Sequence, residues 1–190
     1  TFEINFKNKI LIFFIIVILS VLTLKNFEGI QDRMLHQTIH DLSTTDNILM
    51  FSKGHASHFL TALNLYQDNK VFGQGSNLFR VLCDYNEFYI NEKGCSTHPH
   101  NFYYQMLAEN GLIGFSFLIF FYSLIIFFTI KHCYYKYILR KKLLNEYEIG
   151  ILVSLLISFW PLSPSGNFFN SWIATICFIQ ISLLFINIKR

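Results

Sequence analysis

Two histidines flank a proline at His98-Pro99-His100, and Asn101, Gln105 and Glu109 follow at four-residue intervals. On a helix that spacing stacks the two amides and the carboxylate along one face. A helix beginning near Pro99, a residue suited to the first helical position, places His100 in the first turn. The dipole there favours a neutral imidazole over an imidazolium. A neutral imidazole can take a proton from a hydroxyl, and the same helix end can hold a phosphate. The plainer reading is that His98 and His100 cap and solvate a helix end, although Ser96 and Thr97 are the more usual capping types. Arg80, upstream, is an obligate cation that suits a pyrophosphate or is an ordinary surface arginine.

Other residues admit metal chemistry. Six of the seven histidines lie between residues 25 and 111, with His36/His40 at i,i+4, His55/His58 at i,i+3 and His98-x-His100. The first two spacings each place a pair of imidazoles on one helix face. Neither His-Glu-x-x-His nor Cys-x-x-Cys occurs, so no metal site is assigned. Gly73-Gln74-Gly75 fits neither nucleotide-binding glycine pattern. It reads as a tight turn with close backbone approach. Cys83 and Cys95 are either a disulfide that shortens the approach to His98 or two thiols. Ser163–Trp172, rich in amides, is either the opposite wall of a cleft or an interfacial turn.

The elements that must position these groups are apolar. Of 190 residues, 53% are hydrophobic and only 14% charged, too uncharged for an ordinary soluble domain of this length. The apolar residues form four runs, Ile10–Leu24, Leu112–Ile130, Ile149–Leu162 and Trp172–Ile188. A spanning helix takes about 20 such residues. The expected fold class is therefore all-α, a polytopic helical membrane protein of about four spans. Residues 1–24 give a stub and a span, 25–111 a folded helical loop carrying the motif, and 112–190 three further spans. Within the loop, short helices are expected near 57–67 and 77–85.

Lys7 and Lys9, the cluster Lys131 to Lys142, and Lys189 with Arg190 fall on one side if all four runs span. The positive-inside rule makes that side cytoplasmic. Residues 25–111 and 163–171 then face outward, and 131–148 inward. The net charge of +3 is thus an orientation signal; no basic stripe interleaved with aromatics suggests a nucleic-acid partner. Residues 1–24 lack the small-residue cleavage site of a signal peptide. The chain begins with Thr and reads as the C-terminal part of a longer protein.

His100-Asn101, nine residues, then Gly111-Leu112-Ile113-Gly114 resembles the signature of the O-antigen ligase and Wzy-type polymerase superfamily. Thr97-His98-Pro99, Phe72-Gly73-Gln74-Gly75, Phe79-Arg80 and Pro164–Asn170 fit the same resemblance, which extends from about Ser57 to the end. The resemblance implies a GT-C-like fold in the bacterial inner membrane and an active site facing the periplasm. It implies inverting transfer of a glycan from undecaprenyl pyrophosphate to an acceptor hydroxyl, either lipid A–core or the growing glycan. No cofactor and no metal is implied. His100 would activate the hydroxyl and Arg80 would hold the pyrophosphate. His98, Asn101, Gln105 and Glu109 would bind or orient substrate, or orient the helix. A rival from another class is part of a transporter or flippase whose outward histidines sense pH or bind metal. That reading calls for ionisable residues inside the spans, which contain almost none.

Overall fold

The structure, a computed structural model, describes residues 6–26 and 53–188, together with Gly29, Asp32, His36, Ile39, His40 and Ser43. The rest of the 25–52 segment and the terminal cations Lys189 and Arg190, used above to orient the chain, lie outside the described residues. The described residues are helical, without a strand. The chain divides into two compact units, Thr1–Lys53 and Gly54–Arg190.

The first unit carries α1, Phe6–Asn26. Its side chains from Ile10 to Leu22 are exposed and, except for Ser20, apolar. A helix hydrophobic all round is one that lipid or further protein surrounds.

The second unit holds α2 (Lys53–Asp68, whose first residue belongs to the other unit), α3 (Phe79–Leu82), α4 (Phe102–Tyr137), α5 (Glu146–Ser158) and α6 (Ser171–Ile188). Each apolar run supplies one helix. Among the described residues α4 is the helix long and apolar enough to cross a membrane by itself. The apolar stretches of α1 and α6 are shorter. The 13 residues of α5 rise about 20 Å, less than a hydrocarbon core. Its run ends early because Pro161 cannot continue the ladder, while Asn145 starts it with a reciprocal capping box to Glu148.

α4 and α5 are antiparallel neighbours. The Tyr103 hydroxyl at the start of α4 donates to the Phe159 carbonyl at the end of α5 (2.7 Å). The buried contact surface joins Tyr103, Met106, Leu118, Tyr122 and Ile125 of α4 to Leu152 and Leu155 of α5 and to Cys177 and Leu184 of α6. Phe117, Phe120, Phe127 and Ile130 point outward and stay exposed, as expected of a helix whose outer face meets lipid.

A second, smaller core of Ala62, Leu65, Phe79, Cys83, Phe88 and Ala108 holds α2 and α3 against the first turns of α4. Phe59 stacks flat on Tyr104, centroids 4.3 Å apart. Cys83 and Cys95 are joined as a disulfide. By chain entropy such a short loop stabilises the fold by about 3 kcal/mol. It tethers the chain immediately before Ser96-Thr97-His98.

α4 is two helices meeting at Gly111, whose φ of 61° and ψ of −157° belong to a region open to glycine alone. The break orphans backbone groups on both sides, and the 70–75 turn supplies partners for four of them. Gln74 N–H donates to the Ala108 carbonyl (2.9 Å) and Gly75 N–H to that of Glu109 (2.8 Å). Leu112 N–H donates to the Lys70 carbonyl (2.8 Å) and Ile113 N–H to that of Val71 (3.3 Å). The two backbones approach so closely that a Cβ on Gly73 would lie 2.4 Å from the Glu109 carbonyl carbon, and one on Gly111 2.4 Å from the Val71 oxygen. The close approach expected of the Gly73 turn is thus made onto the hinge of the longest helix.

Candidate active site

The helix begins later than Pro99 suggests. Its first residue is Phe102 and its cap is Asn101, in extended conformation (φ −154°). Asn101 Oδ1 accepts from the backbone N–H groups of Tyr103 (2.9 Å) and Tyr104 (3.3 Å). Its Nδ2 donates to the Pro161 carbonyl (2.8 Å). Asn101 is 4% exposed, so its amide is spent inside the protein. The helix-end amides expected to receive a phosphate are largely taken by this cap.

His100 therefore stands just outside the helix. Its φ of 58° is left-handed, a conformation that costs a non-glycine residue of order 1 kcal/mol and is tolerated where the surroundings dictate it. Those surroundings are identifiable. Asn101 anchors one side, and the His100 carbonyl accepts from Ser165 N–H (2.8 Å) on the other. The turn between α5 and α6 is thus bonded directly to the histidine segment, forming a wall rather than a free interfacial loop.

Sequence spacing treats His55/His58 and His98/His100 as separate pairs; the tertiary fold brings all four together. The His100 ring lies 4.2 Å from that of His98, 5.1 Å from His58 and 5.9 Å from His55, centroid to centroid. Their common setting is the feature that sequence reading missed, since nothing local links α2 to residue 100. His36 and His40 belong to the other unit and are exposed. Among the described residues the group of potential metal-ligating atoms within 4.8 Å of one another is Cys83, Asp84 and Cys95, where the two sulfurs are bonded to each other.

The two motif histidines differ in what they have left to offer. His98 Nε2 lies 3.3 Å from the Ser165 carbonyl, which can only accept, so that nitrogen carries the proton. Its Nδ1 faces the Thr97 hydroxyl at 2.9 Å. Burial lowers the His98 pKa, the Ser165 bond opposes that, and the His58 charge adds to the lowering. His100 has neither ring nitrogen in a hydrogen bond among the described residues, and it is only partly buried. Burial first, then repulsion from His98, His58 and His55, brings its pKa down to about 4. His58 adds a buried Nδ1 with no hydrogen-bond partner among the described residues.

An unfolded histidine protonates near 6.5 while folded His100 resists until about 4. Acidification through that window therefore favours the unfolded chain, and above it the depressed pKa costs nothing. The kcat/KM of a reaction that needs neutral His100 is expected to stay flat through pH 6.5 and to fall only toward 4. Initial rates against pH at low donor concentration measure this. An acid limb centred near 6.5 would show that the imidazole cluster leaves His100 unshifted.

Gln105 and Glu109 lie behind the histidines in a buried polar network. Gln105 is 0% and Glu109 1% exposed. Gln105 Nε2 donates to Glu109 Oε2 (3.0 Å) and to Asn167 Oδ1 (2.7 Å), and its Oε1 accepts from Phe168 N–H (2.9 Å). Glu109 Oε1 accepts from Phe79 N–H (3.0 Å), and Asn167 Nδ2 donates to Asn77 Oδ1 (3.2 Å). Glu109 precedes the Gly111 hinge and the apolar stretch beyond it. Burial raises its pKa, opposed by the Phe79, Gln105 and Asn77 bonds and by the Arg80 charge. The network ties three distant segments together: the 73–79 turn, the first turns of α4 and the 164–170 turn. Arg80, the residue after Phe79, is exposed on α3 and lies within electrostatic reach of Glu109.

Residues 4–119 match the family model described as O-antigen ligase. The chain belongs to the O-antigen ligase family. No curated protein and no solved structure matches it. The family match differs in extent from the resemblance drawn on motifs. It reaches back to residue 4, taking in α1, and stops at 119, just past Gly114. The Pro164–Asn170 turn lies outside it, yet bonds to the signature through Ser165, Asn167 and Phe168. The family is membrane-embedded, in keeping with the apolar outer face of α4.

Proposed function

We propose that this chain carries the catalytic motif of an inverting glycosyltransferase that moves a glycan from undecaprenyl pyrophosphate to an acceptor hydroxyl on the periplasmic face of the inner membrane. The observation that carries the reading is His100 itself: a neutral imidazole with neither ring nitrogen hydrogen-bonded among the described residues, fixed in a strained backbone conformation beside the membrane helix. The acceptor O–H gives its proton to His100 as the oxygen attacks the anomeric carbon. The bond from that carbon to the pyrophosphate oxygen breaks on the opposite face, and undecaprenyl pyrophosphate leaves as an anion whose charge Arg80 meets. His98 fixes the loop through Ser165. Asn101, Gln105 and Glu109 act by holding the hinge, the loop and the 164–170 turn in register. A pyrophosphate arriving near His100 adds negative charge and so strengthens the base only once the donor is in place.

On this reading four spans place residues 25–111 and 163–171 outside and the basic 131–148 segment inside, and the acceptor is lipid A–core or the growing glycan. Lipid-linked intermediates in a host strain lacking the protein test it. Long glycan left on undecaprenyl pyrophosphate identifies a ligase, and single repeat units identify a polymerase. A strain with normal surface polysaccharide and no accumulated intermediate would remove the transferase reading.

A further inference from the structure

At the opposite end of α4 from His100 lies a cavity of about 320 Å³, lined by Lys136, Arg140, Lys141 and Lys142 with His132 and Leu144. Its one acid, Glu146, already lies 3.3 Å from Lys142, so the lining keeps a marked excess of positive charge. Lys136 sits over the Tyr137 ring at 5.6 Å. Arg140 and Lys141 have no carboxylate within ion-pair distance among the described residues.

His132, which lines the cavity beside these cations, is 8% exposed, and its buried Nδ1 has no hydrogen-bond partner among the described residues. The backbone is arranged at some expense to keep a cation here. Arg140 takes a left-handed φ of 55° where a chain leaving a helix usually has glycine or asparagine. That turn, with Lys141 N–H donating back to the Tyr135 carbonyl (3.0 Å), folds the three consecutive cations toward α5.

The position selects the ligand. Phe127 and Ile130, nine and six residues before Lys136 or roughly two turns, are 56% and 63% exposed, the exposure expected of side chains that face hydrocarbon. The cations therefore stand at headgroup depth. We infer that this cavity binds the phosphate headgroup of an anionic membrane lipid. Basic pockets between membrane helices are suited to this, with attraction contributed by each cation near the surface. Such a lipid would staple the α4–α5 corner at the end of the protein away from the transfer site. The inference rests only on membrane embedding, and its readout does not involve glycan transfer.

The full chain in neutral detergent, titrated with phosphatidylglycerol or with phosphatidylcholine, reports bound lipid by native mass spectrometry. Phosphatidylglycerol is expected to bind at least about tenfold more tightly. Arg140→Gln with Lys141→Gln should weaken it by about thirtyfold, or roughly fivefold per cation. Lys131→Gln removes a charge from the same segment without touching the cavity, and should change binding by less than about twofold. Equal retention of the two lipids, or an equal loss from Lys131→Gln, overturns the inference. So does complete displacement by excess inorganic phosphate, which would assign the cavity to a free anion.

Discussion

His100→Ala, made in the protein as its host produces it, is expected to lower glycan transfer by roughly 10²–10⁴-fold, the usual worth of a positioned general base. The substitution removes the imidazole and leaves the cap intact, because Asn101 and not His100 satisfies the helix N-terminus. At neutral pH His100 is uncharged and its depressed pKa costs nothing, so protein level and thermal stability should hold. Loss of activity without loss of protein separates a chemical role from a structural one. The surface polysaccharide ladder and the lipid-linked pool, scored together, measure both. A normal ladder at normal protein level would leave His100 as a spacer beside the cap.

The second large effect is structural. Gly111→Ala is expected to destabilise the protein by roughly 3–5 kcal/mol, combining a forbidden backbone conformation with overpacking. The added methyl would meet the Val71 carbonyl oxygen and carbon at 2.4 and 2.5 Å and the Gly73 nitrogen at 2.6 Å. All three are backbone atoms in a segment held by four hydrogen bonds, so the neighbour has nowhere to go. Gly150→Ala is the matched control: α5 is ordinary helix there, nothing lies within 4 Å, and a gain of about 0.5–1 kcal/mol is expected. Melting of both variants in the same detergent decides the matter. Equal stability of the two would mean that the Gly73–Gly111 apposition is dispensable.

These two predictions draw on different kinds of legibility. The helical class was readable because apolar runs and their terminators are local properties: three of the four runs lie on one helix each, and the third is helical up to Ser158, shortly before Pro161. The His100-Asn101 to Gly111–Gly114 spacing was readable as a motif for the same reason, since every residue in it lies on one continuous segment. The exact helix start was not. Pro99 and Asn101 are both valid start signals, and the choice turned on Asn101 reaching Pro161 and His100 bonding Ser165. Both partners lie some sixty residues away.

The sequence by itself determined the chemistry available to this protein: a histidine pair at His98-Pro99-His100, a cation upstream, amides and a carboxylate at helical spacing, and apolar runs to carry them. Tertiary structure alone decided what each of these groups became. It pressed the Gly73 turn into the Gly111 hinge and closed the Cys83–Cys95 bond. It also committed Gln105 and Glu109 to an internal network and surrounded His100 with imidazoles from α2. Periodicity and capping act over one or two turns, so a sequence displays them directly. Backbone apposition, hydrogen bonding across sixty residues and the gathering of four imidazole rings depend on distances that exist only once the chain has folded.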